Sequence, residues 1–114
     1  MKVILDECLP RMLKRLLVGH EVRTVRSEGW NGIKNGRLLR LIETKFEAFI
    51  TVDRGLEFQQ KTRNATVGIV VLNAVDNKVE TLTPLIPEVL SVLNRIKPGQ
   101  VIRVPQADNE LKHD

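Results

Sequence analysis

One cysteine, two histidines and one tryptophan occur in 114 residues. The lone Cys8 excludes an internal disulfide, and no Cys-rich zinc spacing exists. No apolar run approaches the ~18 residues needed to span a membrane. The opening MKVILDECLP has an apolar stretch of only Val3-Ile4-Leu5 before acids follow, which is not the profile of a signal peptide. A cytoplasmic location is the expectation. Internal repeats and low-complexity segments are missing. So are a GxGxxG fingerprint and a phosphate-binding P-loop: GWNGIKNG has glycines but lacks the GK[ST] ending. No Ser-His-Asp arrangement can be placed.

What remains is an ordinary core-forming composition, with 42% hydrophobic residues in a length that suits one domain. That domain is expected over residues 1–104, with 105–114 a polar, flexible tail. Lys and Arg number 18 against 14 acids. The imbalance is uneven: residues 1–63 hold 13 basic and 8 acidic side chains, and residues 64–114 hold 5 and 6. Such an asymmetry suits attraction to a polyanion, although a solvated basic surface would look the same.

Hydrophobic patterning predicts alternating strands and helices. Val3-Ile4-Leu5 is a strand closed by Asp6. Pro10 suits the first turn of a helix carrying Leu9, Met12, Leu13, Leu16 and Leu17 inward and Arg11, Lys14 and Arg15 outward. Gly19 ends it. A second strand runs from Glu21 to Val25. Residues 27–36 (SEGWNGIKNG) form a loop, and Asn35 is the expected N-cap of a helix with Leu38, Leu39, Leu41, Ile42 and Phe46 inward. Ala48–Val52 is a third strand, closed by Asp53, with a short helix or turn over 54–61. Val67–Leu72 is a fourth strand. Thr83-Pro84 opens the last helix, in which Pro87 must lie in the first turn. Val101–Val104, alternating in pattern, is a fifth strand at an edge. Continuously apolar strands separated by helices imply an α/β domain whose mainly parallel central sheet of about five strands is flanked by helices.

Two strands end in acid, the first in Asp6 and Glu7, the other in Asp53. In a parallel sheet all carboxyl ends share one edge, where ligands bind if the strand order reverses there. If these strands are neighbours, the three carboxylates converge within about 5–8 Å. Hard oxygen donors clustered in this way suit Mg²⁺ or Mn²⁺. Such an ion activates water and stabilises charge on a phosphoryl group, so phosphodiester hydrolysis is the natural reaction. Acids after apolar strands also arise structurally, because Asp caps helices and favours turns.

The segments LDECLPRML, GWNGIKNGRLL and FITVDRGLEFQQ, in that order, resemble the PIN-like proteins of the DUF5615 type, relatives of the VapC toxins and the Mut7-C domain. The resemblance runs from Met1 to Val104. It implies a PIN-like α/β fold with an acidic, metal-dependent ribonuclease site, the motif acids falling on Asp6, Glu7 and Asp53. It also implies a toxin–antitoxin setting with a small antitoxin, often of the DUF433 type; related nucleases often form homodimers. The chain departs from the family's pattern at Cys8, where Asn is common, and at Arg37, where an acid is common. Asn35 stands where the middle helix often supplies an acid.

The expectation is therefore a Mg²⁺/Mn²⁺-dependent endoribonuclease. Asp6, Glu7 and Asp53 would hold the ion, assisted by Asn35, and Arg54, Arg11, Lys34 and Arg37 would hold the RNA backbone. Trp30 either stacks a base or packs over the sheet. Cys8 reads as packing rather than as a nucleophile. Two other classes stay open: a non-catalytic PIN-like module that binds RNA or a partner protein, and a phosphoacceptor domain, which would place a lysine on a late strand.

Overall fold

Five short apolar runs become five strands, each parallel to its neighbours. The computed structural model describes residues 1–52 and 66–105. In chain order the elements are β1 (Lys2–Leu5), α1 (Leu13–Leu16), β2 (Glu21–Thr24), α2 (Asn35–Glu43), β3 (Ala48–Thr51), β4 (Gly68–Leu72), α3 (Val79–Leu82), a 3₁₀ turn (Thr83–Leu85), α4 (Ile86–Leu93) and β5 (Val101–Val104). Across the sheet the order is β2-β1-β3-β4-β5.

The side-chain alternation of each strand sorts the core into two layers. Val3, Leu5, Ala48, Ile50, Val70 and Leu72 face α1, α3 and α4, meeting Leu13, Leu82, Val89 and Leu93. Ile4, Phe49, Ile69 and Val71 point the other way, against Leu38, Leu39 and Ile42 of α2 and against Phe46. Every residue of β3 and β4 is buried, as expected for central parallel strands covered on both faces. The edge strands β2 and β5 alternate instead. The α/β class, the parallel sheet of five strands and the edge position of β5 are thus as the sequence predicts. Among the described residues, no helix is long and apolar enough to cross a membrane.

The helices depart from expectation where local chemistry interrupts them. The helix after Pro10 is only one turn of α-helix, because Leu17 already leaves helical geometry and Gly19 turns left-handed at φ 87°. Leu9, Leu13 and Leu17 are still buried, but Met12 lies in the preceding turn and is 53% exposed. Helix α2 begins one residue before the predicted site: Lys34, with extended dihedrals, is the N-cap, and Asn35 is the first helical residue. Helical structure at the C-terminal end starts earlier than Thr83. Pro84 and Pro87 each remove an N–H donor, so the chain passes from α3 through a 3₁₀ turn into α4, with Pro87 in its first turn. The turn or helix expected over 54–61 and the tail after Pro105 lie outside the described residues.

Candidate active site

β1 has β2 on one side and β3 on the other, and from β3 the order runs on through β4 to β5. The strand order therefore reverses between β1 and β3, and the space beyond their carboxyl ends is where such sheets receive ligands. The condition that the two acid-bearing strands be neighbours is met: Leu5 pairs with Ile50. The ladder continues one residue further, the Asp6 N–H donating to the Ile50 carbonyl at 2.9 Å.

That backbone bond sets Asp6 beside Thr51. The Thr51 hydroxyl, on a fully buried residue, donates to Asp6 Oδ2 at 2.6 Å. The Glu7 N–H donates to Asp6 Oδ1 at 2.8 Å. The Leu9 N–H donates to the Asp6 carbonyl at 3.0 Å, closing a turn. Both carboxylate oxygens thus accept a bond from a fixed donor, an arrangement that orients an ionised carboxylate. Glu7 is exposed and reaches sideways: its Oε1 accepts from the Gly32 N–H at 2.8 Å. Gly32 has φ 84°, a conformation that favours glycine. This bond ties the end of β1 to the loop that leads into α2.

Cys8 keeps contact with solvent and is not the packing residue that the sequence suggests. Partial burial of its thiol, and next the negative charge of Asp6, raise its pKa, with Glu7 adding to the effect. The thiolate that a cysteine nucleophile needs is disfavoured. The Cys8 carbonyl accepts from Asn77 Nδ2 at 2.6 Å, which links this turn to the segment between β4 and α3.

A cavity of about 220 Å³ opens here, lined by Asp6, Glu7, Leu9, Arg11, Thr24 and Arg26. Two carboxylates and two guanidinium groups line it. Arg26 sits in a tight turn at the end of β2. There the Ser27 N–H donates to Thr24 Oγ1 at 2.9 Å, and the Ser27 hydroxyl donates to the Thr24 carbonyl at 2.9 Å.

Of the residues predicted for the site, Asp6, Glu7 and Arg11 come together at this cavity. Lys34 and Arg37 are exposed at the start of α2 and do not line it. Asp53 and Arg54 lie outside the described residues, as does the side chain of Asn35. Trp30 packs edge-on against Phe46, with centroids 6.2 Å apart, and beneath the Lys45 ammonium, so it belongs to the covering of the sheet. The sequence reading missed Thr51 and Arg26. A threonine inside the apolar run FITV was the only signal for the first, and an arginine just past a strand for the second.

Among the described residues no three His, Cys, Asp or Glu side chains gather as a metal-holding group. The donors present, Asp6 and Glu7 at one strand end, are the hard oxygen ligands that Mg²⁺ or Mn²⁺ takes alongside water. A carboxylate oxygen that accepts one hydrogen bond keeps capacity for a second partner, so the bonds to Thr51, Glu7 and Gly32 orient these groups and are compatible with metal ligation. No family model matches the chain, and neither does any curated protein or solved structure.

Proposed function

We propose that the chain is a cytoplasmic, Mg²⁺- or Mn²⁺-dependent endoribonuclease of the PIN-like type, the toxin of a toxin–antitoxin pair restrained by a small DUF433-like partner. The observation that carries this reading is the Asp6 carboxylate, held by Thr51 where the strand order reverses, at a cavity also lined by Glu7, Arg11 and Arg26. A cavity with separate carboxylate and guanidinium groups suits a phosphodiester accompanied by a divalent cation. The carboxylates would bind the cation, and the arginines would bind the phosphate.

In this mechanism Asp6 and Glu7, with Asp53, would hold the ion, and Asn35 would assist. When bound, such an ion would supply Lewis acidity for activating water and for stabilising charge on the phosphoryl group. Thr51 fixes the direction of the Asp6 lone pairs. Arg11 and Arg26 bind the phosphate and set its approach, and Arg54 is a further cation in the same role. RNA cleavage with Mn²⁺ or Mg²⁺ should be lost on chelation and fall at least 100-fold in Asp6→Asn and in Asp53→Asn. Full activity in both variants would overturn the assignment.

The Glu7–Gly32 bond favours a second reading, a PIN-like module that binds RNA or a protein without cutting, since it gives Glu7 a structural task. That reading requires calorimetry to find no divalent-ion binding at millimolar concentration; binding abolished by Asp6→Asn excludes it. The phosphoacceptor class is disfavoured. β4 and β5 run out into Asn73 and Pro105, and neither position offers the lysine that such chemistry uses.

A further inference from the structure

A second and larger cavity, about 550 Å³, is lined by Pro10, Arg11, Met12, Lys14 and Arg15. Arg11 lines both cavities. The two concavities are therefore adjacent, and the basic residues run in sequence from the acid edge along the turn and helix of α1. Lys14 is half-buried, while Arg11, Arg15 and Arg26 are exposed. None of the four is in an ion pair among the described residues, although acids are plentiful in the chain. Cations that line two adjoining cavities beside one carboxylate pair, with no ion pair among the described residues, give the acid edge a basic border.

From this juxtaposition we propose that Arg26, Arg11, Lys14 and Arg15 form a track for the phosphates of single-stranded RNA, which crosses the acid edge and leaves over α1. The inference rests on the nuclease reading and deepens it by naming the strand's path. The first cavity is below the roughly 300–1,000 Å³ of ordinary small-molecule sites, so it takes one unit of a polymer rather than a whole cofactor. The second extends the path by the length of the segment 10–15, a rise on the order of 8 Å if helical throughout. So short a row follows one backbone; it does not bridge the two strands of a duplex across a groove. It also places the RNA on the α1 side of the edge, away from Lys34 and Arg37 at the start of α2.

The test measures binding of a short single-stranded RNA by fluorescence anisotropy, in EDTA so that no cleavage occurs, across a range of salt. Each cation on the track contributes about 0.7 to the slope of log K against log salt for a single strand. Arg26→Gln, Arg11→Gln, Lys14→Gln and Arg15→Gln should each lower the slope by about that amount and weaken binding several-fold at low salt, with Arg40→Gln on α2 as the unchanged control. Unchanged slopes in the four variants would overturn the track, even if the protein cleaves RNA. Equal affinity for a duplex of the same length would also overturn it. Lowered slopes together with full cleavage by both Asp6→Asn and Asp53→Asn would leave the track standing and remove the assignment of the nuclease site to the acid edge.

Discussion

At the scale of single residues, the hydroxyl of Thr51 has the clearest consequence. It is fully buried and bonded to an ionised group, and such bonds contribute about 1.5–3 kcal/mol. Thr51→Val keeps the shape and removes the donor. We expect urea unfolding to show a loss of about 1–2 kcal/mol, because the Glu7 N–H still holds the other Asp6 oxygen. A merely structural role would end there. A positioning role adds a rise of about 10–100-fold in the Mn²⁺ concentration needed for half-maximal cleavage, the usual effect of losing a ligand's outer partner. An unchanged metal requirement would confine Thr51 to stability. Asp6 was legible in the sequence because an acid that abruptly closes a buried apolar run is conspicuous. Thr51 was not, because threonine is a common strand residue and its role depends on a neighbour 45 positions away. Arg26 was hidden for the same reason: its cavity is built from the ends of two strands and the turn after β1.

At the scale of elements, the loop between β2 and α2 is held from both ends. One anchor is the Gly32 bond to Glu7. The other is Glu28, whose side chain is only 4% exposed and which pairs with Lys45 at 2.7 Å and Arg23 at 3.2 Å. The Lys45 hydrogen bond, aided by the charges of Lys45 and Arg23, holds the Glu28 carboxyl below its ordinary 4.5. A folded pKa lower than the unfolded one means the bond's contribution is fully present above pH 4.5 and is lost as pH falls through the depressed value. Wild-type stability should therefore drop more steeply below pH 4.5 than that of Glu28→Gln, measured by urea unfolding; parallel profiles would contradict this. A second junction joins β4 to the end of α4. A Cβ on Gly68 would lie 2.9 Å from both Cγ1 and Cδ1 of Ile96, so the whole side chain must move. Gly68→Ala should destabilise by about 1–3 kcal/mol. Adding Ile96→Ala should do less harm than the two single losses combined, by about 1 kcal/mol. The sequence marked the strand and the apolar helix face but not this contact, since a glycine within a strand has several explanations. The subdivided last helix was partly legible: Pro87 fell in a first turn as required, but the earlier turn from Val79 carries no strong start signal.

For the whole molecule, the decisive quantity is strand order. Apolar runs specify which segments are strands, and their doubly apolar character specifies a covered parallel sheet. Neither says which strands are neighbours, because that depends on how the crossovers pack. The order β2-β1-β3-β4-β5 makes the end of β1 adjacent to the end of β3, and so sets Asp6 beside Thr51 at the point where the order reverses. A ligand bound there touches segments far apart in sequence and should stabilise the fold as a unit, not a single loop. An ion that binds only the folded arrangement of this edge adds its binding free energy to stability. At a concentration 100 times its dissociation constant, Mn²⁺ should contribute about 2.7 kcal/mol, a rise in Tm on the order of 10 °C for a chain of this size. Asp6→Asn should abolish most of the shift, and Arg40→Gln should leave it intact. An equal rise in wild type and Asp6→Asn would put the ion elsewhere and dissociate the acid edge from metal chemistry.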